Sequence, residues 1–280
     1  ISAHNDAVSR SSSLFKAPLP HIVTCAIEHP AVLLYLKHLE AKGRIELSII
    51  PVDEEGTIYA EDISKSLRKN TALVTIMHSN NEVGTIQPIQ EIASIIKAFN
   101  TKSRDGSNIV LFHSDAAQSL GKVTVDVSVL GVDMLTIVGH KFGAPKGIAA
   151  LYVRSETCSE SVSKAPLLIG GGQESTRRGG TENVLLIAGL GEAARLAKID
   201  AIDNLFHLLK LKRRLILALR KGLEDLGEDF VKFNGPQRSN DAEEIASDIA
   251  LLEMILRPHG KDANLGVTAD ERVNGSHVED

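Results

Sequence analysis

The sequence predicts an α/β fold, a mostly parallel sheet with helices on both faces. Short runs of Val, Ile and Leu alternate with segments of helical apolar spacing, the pattern of βα units. Trp is absent and aromatic residues make up only 4% of the chain, so the core is built from Ile, Leu, Val and Ala. The polar motifs mostly follow the apolar runs, as expected where ligands gather at the carboxyl ends of strands.

In chain order, residues 21–26 (HIVTCA) predict a strand, and 30–42 a helix that stops at Gly43, a helix-ending residue. Residues 45–51 predict a strand, 59–67 a short helix and 72–78 a strand. A helix follows over 88–100, with apolar positions at Ile89, Ile92, Ile95, Ile96 and Phe99. Residues 109–112 and 134–138 predict two buried strands, and 148–153 a further strand after a Gly/Pro turn. Beyond Asn183 the character changes. Residues 184–197 predict an apolar helix and 204–226 a long amphipathic one, with Leu205, Leu208, Leu209, Leu215, Ile216, Leu219 and Leu223 on its apolar side. Residues 241–256 predict a last helix, whereas 9–20 read as a loop and 260–280 as a loose polar tail.

The 280 residues suffice for one large domain or somewhat more, and the 43% hydrophobic and 24% charged content is ordinary for a soluble globular protein. A net charge of -5 argues against a nucleic-acid surface. No apolar run approaches the roughly 20 residues of a membrane span. Two cysteines, Cys25 and Cys158, fit a reducing compartment without a disulfide framework. The expected location is cytoplasmic, with mitochondrial as the alternative. A first residue of Ile is expected of a fragment or a processed chain. The scattered histidines form no metal-binding spacing, so no metal is expected.

The chemistry concentrates in two segments, His113-Ser114-Asp115-Ala116-Ala117-Gln118 and Val138-Gly139-His140-Lys141. Each follows an apolar run, so both deliver polar groups to strand ends. A desolvated lysine there would be a nucleophile for carbonyls. An aspartate on a neighbouring strand would keep a pyridine nitrogen protonated. Together they form the protein side of pyridoxal phosphate chemistry. Plainer readings stand beside these: a surface lysine at a strand end, and Asp115 as the N-cap of a helix opening at Ala116. Gln118 is placed to meet the cofactor's phenolic oxygen. His29 is placed to stack on a flat ring and shuttle protons, or is simply an exposed helix-start histidine. Asn80-Asn81-Glu82-Val83-Gly84 is a turn or directs an amide at a cofactor hydroxyl. The glycine-rich stretch from Gly170 to Asn183, with Thr181 ahead of a helix, suits a phosphate or is a linker.

These motifs, with Ile27-Glu28-His29, Pro145-Lys146-Gly147-Ile148, Gly170-Gly171-Gly172-Gln173-Glu174 and Arg178-Gly179-Gly180-Thr181-Glu182-Asn183, resemble in order and spacing the cysteine desulfurase and selenocysteine lyase group of class V aminotransferases. The resemblance covers roughly residues 20–236. Val138, Gln173-Glu174 and Thr181-Glu182-Asn183 look closer to the selenocysteine lyases. It implies the pyridoxal-phosphate transferase fold, with residues 1–20 a remnant of the N-terminal segment and 21–197 the cofactor-binding large domain. Residues 198–235 would be a long helix toward a small domain, and 236–280 a divergent tail. It implies that Lys141 holds pyridoxal 5'-phosphate, that Asp115 pairs with the ring nitrogen, and that Gln118 and Asn81 contact the phenolic oxygen. His29 would stack on the ring and act in catalysis with Lys141. His140 would help bind the phosphate, and Thr181 would reach the partner subunit's phosphate in a homodimer. The implied reaction is removal of sulfur or selenium from L-cysteine or L-selenocysteine, leaving L-alanine.

The chain also departs from the family. Val138 replaces a common Ser or Thr, and residues 2–8 match the phosphate-cradling Gly-Thr-Glu loop poorly. Neither Cys25 nor Cys158 falls at the sulfur-accepting position, and Arg238, Arg257 and Arg272 sit in no carboxylate-binding motif. The expectation is a largely intact cofactor half with a truncated phosphate cradle and substrate half. Alternative readings are a non-catalytic truncated paralogue that dimerises with a full-length enzyme, and another class V aminotransferase or β-lyase.

Overall fold

The computed structural model describes residues 18–102, 109–155, 168–223 and 233–235. Six strands form one sheet: β1 (His21–Cys25), β2 (Glu46–Ile50), β3 (Thr71–Thr75), β4 (Leu111–Asp115), β5 (Met134–Val138) and β6 (Ala149–Val153). Their order is β2-β1-β3-β4-β5-β6. The first five are mutually parallel, while β6 runs antiparallel to β5, so the predicted mostly parallel sheet holds. The helices are α1 (Pro30–Ala41), α2 (Ala60–Ser66), α3 (Ile89–Lys102), α4 (Val127–Leu130), α5 (Gln173–Thr176) and α6 (Val184–Gly222).

Alternation along the strands splits the core between the two faces. On one face Val23, Val74, Phe112 and Leu135 pack with Ile63 of α2 and with Ile89, Ile92 and Ile96 of α3. On the other, Ile22, Leu47 and Leu73 meet Leu36 and Leu39 of α1. The α3 stripe is the one read from the sequence, with Ile92 fully buried. Helix α1 ends as expected, with Gly43 at φ +62 just beyond its C-cap.

Several elements differ from expectation. Strand β4 lies two residues later than predicted and includes Asp115 as its last residue. The residues after it form a turn, not a helix, so Asp115 caps no helix there. The two helices expected beyond Asn183 are one continuous helix, α6, because no breaker lies between Ala197 and Asn204. Helix α4 is too short for a periodicity signal; Asp126 caps it by accepting from Ser128 N at 2.8 Å. The predicted helix over 241–256, the tail over 260–280, nearly all of the loop over 9–20, and Cys158, Arg238, Arg257 and Arg272 lie outside the described residues.

The chain divides into two compact units, Ile1–Ala197 with Phe233–Gln237, and Lys198–Lys232 with Arg238–Asp280. The first contains the whole sheet. In the second, Phe206 of α6 is buried, whereas Leu208, Leu215 and Leu219 are exposed.

Candidate active site

The carboxyl ends of β1, β3, β4 and β5 lie side by side, and the sequence-predicted residues follow them. Register aligns Thr24 with Thr75, Thr75 with His113, and Asp115 with Thr136. After β5 a single 3-10 turn, Gly139–Lys141, carries His140 and Lys141. The turn is held by backbone: Gly139 N donates to Ile148 O, and Phe142 N and Ala144 N both donate to Gly139 O, each at 3.1 Å. A Cβ on Gly139 would lie 2.9 Å from Ile148 O, so only glycine fits without a shift.

Lys141 and His140 are both exposed on this turn, the placement of the plainer surface-lysine reading. Lys141 still meets a like charge: burial, together with the charge of Lys141, pulls the Lys122 amine below its usual value. Lys122 in turn donates to Gln118 O at 3.0 Å and to Gln118 Oε1 at 3.2 Å. An ammonium has only protons to offer. It therefore fixes which end of the Gln118 amide is oxygen and leaves the NH₂ end as donor.

Asp115 is half-buried, and its Oδ1 accepts from Ala117 N at 2.9 Å. Its carbonyl accepts from His78 N at 2.8 Å. Two residues earlier on the same face, the His113 ring lies between Thr75 Oγ1 at 2.7 Å and Thr136 Oγ1 at 2.9 Å, a ladder across β3, β4 and β5. Burial pushes His113 below its ordinary value, opposed by the Asp115 charge. Burial does the same to His78, whose Nδ1 lies 2.6 Å from Ser119 Oγ beside Gln118.

His29 is the exposed N-cap of α1, its Nδ1 accepting from Ala31 N at 3.2 Å. The neutral ring therefore carries its proton on Nε2. The exposed-histidine reading is thus met in geometry, and it leaves the outer nitrogen open to a ligand. Asn80 is buried and structural: its Oδ1 accepts from Glu82 N and Val83 N, and its amide donates to Ile27 O. Asn81 beside it is exposed. Thr181 is exposed in the loop before α6. The glycines of that region serve close backbone approach. Gly179 N donates to Leu168 O at 2.8 Å, and a Cβ on Gly170 would lie 2.9 Å from Gly179 Cα.

Sequence reasoning gave no role to Glu28 or Lys122. The i,i+4 spacing of Gln118 and Lys122, and the Cys25-x-x-Glu28 spacing, were the available signals. Glu28 is buried, its Oε1 accepting from Cys25 Sγ at 3.0 Å and from Met77 N at 2.6 Å. Burial raises its carboxyl to about 7, with a further push from Asp115. Burial and the Glu28 charge hold the Cys25 thiol well above its ordinary range, so Cys25 is no thiolate nucleophile.

The aminotransferase class-V family model matches residues 4–247. The chain belongs to this family. Cysteine desulfurase IscS of Dictyoglomus turgidum is 43% identical over 220 residues, 79% of this chain and 50% of that protein. The selenocysteine lyase of Bos taurus is 51% identical over 180 residues, 64% of this chain and 40% of that protein. Among solved structures, SspA in complex with cysteine superposes with a TM-score of 0.56 at 43% identity, covering 63% of this chain and 47% of that one. The chain thus spans about half the length of the curated relatives it matches. Class V aminotransferases of this group use pyridoxal 5'-phosphate.

The residues present fit that cofactor. An amine, a carboxyl and an amide stand at neighbouring strand ends, and an imidazole lies beyond β1. Among the described residues, Thr24 Oγ1 near the end of β1 and Glu28 Oε2 just beyond it are buried polar atoms without a hydrogen-bond partner.

Proposed function

We propose that this chain is the cofactor-binding part of a pyridoxal-phosphate-dependent lyase acting on L-cysteine or L-selenocysteine, giving L-alanine and sulfur or selenium. The observation that carries this is the delivery of Lys141 and Asp115 to the carboxyl ends of adjacent parallel strands, β5 and β4. Bound there, the cofactor would supply an electron sink for the bond broken in the substrate.

In this reading Lys141 anchors the cofactor aldehyde and moves protons. Asp115 holds the ring nitrogen protonated. Gln118 donates its NH₂ to the phenolic oxygen, with Asn81 as a second contact. His29 lies on the ring with Nε2 ready to exchange a proton, and His140 helps hold the phosphate. Thr181 serves the phosphate of a second subunit. A homodimer is supported by exposed apolar side chains near Thr181: Ile169, 93% exposed, with Leu168, Val184 and Leu185. The large domain is assigned to residues 21–197, with 198–235 leading on and 236–280 as the divergent tail.

A cysteine substrate is supported by the SspA complex and selenocysteine by the lyase relatives. No helix among the described residues is long and apolar enough to cross a membrane. The compartment we assign is the cytoplasm; a mitochondrial desulfurase among the relatives makes the mitochondrion the competing assignment. The test is incubation of the purified chain and pyridoxal phosphate with each amino acid and an added dithiol reductant, which takes the released sulfur or selenium to sulfide or selenide, measuring alanine together with that product. Cofactor uptake with alanine from neither amino acid overturns the substrate assignment; no cofactor uptake overturns the whole reading.

A further inference from the structure

Glu28 carries a buried, ionisable carboxyl at the strand ends without any assigned role. Its side chain is only 5% exposed. Oε1 is saturated by two donors, Cys25 Sγ at 3.0 Å and Met77 N at 2.6 Å. Oε2 is buried with no hydrogen-bond partner among the described residues. A bare carboxylate oxygen in such a place is costly, whereas a proton on it makes the group neutral.

The contacts of Glu28 lead to Asp115. Oε1 pins the amide of Met77; the next amide, His78 N, donates to Asp115 O at 2.8 Å. The titratable groups that act on Glu28 are the Cys25 thiol on β1 and the Asp115 carboxyl on β4. The thiol stays neutral, its ionisation suppressed by burial. The two carboxyls interact as like charges. Asp115 is half-exposed and capped by Ala117 N, while Glu28 is enclosed. The enclosed member of such a pair takes the proton.

We propose that Glu28 is a positioning residue that holds a proton beside Asp115, so that Asp115 carries the negative charge facing the pyridine nitrogen. This rests on the cofactor reading above. One neutral acid gives the ring a single, placed counter-charge. The same side chain ties β1 to β3, and through His78 N to the Asp115 backbone.

The experiment compares the wild-type chain with Glu28→Gln, Glu28→Ala and Asp115→Asn. Infrared spectra of the cofactor-free proteins are recorded across neutral pH. The wild type should show a protonated carboxylic-acid C=O band that fades as pH rises through about 7. Glu28→Gln should lack that band. Asp115→Asn should keep it but lose it at lower pH, because the like charge that raises it is gone. A Glu28 carboxyl without electrostatic contact with Asp115 would not respond to Asp115→Asn. Absorbance titration with pyridoxal phosphate supplies the second readout. Glu28→Ala should bind at least about tenfold more weakly, and the neutral isostere Glu28→Gln should return to within about threefold of wild type.

A spectrum without the band, a midpoint unmoved by Asp115→Asn, or Glu28→Gln as weak as Glu28→Ala each overturns the proposal. Wild-type protein that shows the band but takes up no pyridoxal phosphate overturns the cofactor reading instead, and with it the role toward the ring. If Glu28→Ala fails to fold, the infrared comparison of wild type, Glu28→Gln and Asp115→Asn still decides.

Discussion

The Lys122 ammonium donates to the Gln118 side-chain oxygen at 3.2 Å and to its backbone oxygen at 3.0 Å, four residues apart in one turn. Lys122→Met removes the group that orients the amide and a positive neighbour of Lys141, while keeping the aliphatic stem. A hydrogen bond to a charged group contributes about 1.5–3 kcal/mol. Partial exposure discounts it, so pyridoxal phosphate affinity should fall by roughly three- to tenfold. Absorbance titration checks this; unchanged affinity would separate Gln118 from the cofactor.

Lys141→Ala should abolish the visible absorbance band, near roughly 420 nm, that the wild type develops with pyridoxal phosphate. Lys141 is exposed and none of the hydrogen bonds that hold its turn involves its side chain, so the melting temperature should stay near that of the wild type. The same spectra and a melting curve report both outcomes.

Asp115→Asn keeps an oxygen able to accept from Ala117 N, so the turn should persist. What it loses is charge. The difference between a charged and a neutral hydrogen bond is about 1–2 kcal/mol, so cofactor binding should weaken roughly five- to thirtyfold. Retained affinity, with the fold intact by circular dichroism, would remove Asp115 from the ring nitrogen.

Stability should depend on pH through groups of opposite sign. His113, His78 and His21 all lie below their ordinary value, burial being the first cause in each. A histidine depressed on folding contributes stability above about pH 6.5, lost as pH falls through its lowered value. The raised Glu28 carboxyl works the other way: its contribution is full below its ordinary value and lost as pH rises through about 7. His113→Gln should therefore shallow the acid limb of the unfolding midpoint against pH, and Glu28→Gln the neutral limb. Superimposable acid limbs in wild type and His113→Gln would show that His113 does not titrate on unfolding.

The sequence carried the sheet well because parallel strands buried on both faces are near-continuous apolar runs; β5 was read to the residue. The error at β4 has a physical origin: His113, Ser114 and Asp115 are polar, yet they continue the ladder, His113 bonding threonines on both sides. The motif residues were visible as residue types after strands. Their environments were not. Nothing in the sequence says that a 3-10 turn lifts Lys141 into solvent, or that Glu28 folds back onto Met77 N from outside β1. Those depend on register between strands far apart in the chain.

The closure of the turn at Gly139 has one more consequence. Its hydrogen bonds are all between main-chain atoms, and its tightest approach is to the Ile148 carbonyl. The Lys141 amine thus hangs from a bracket to which its own side chain contributes nothing. Chemistry and scaffold at this corner are separable: the residue at 141 can be exchanged as a tool bit is, whereas a single methyl group added at 139 would bend the holder.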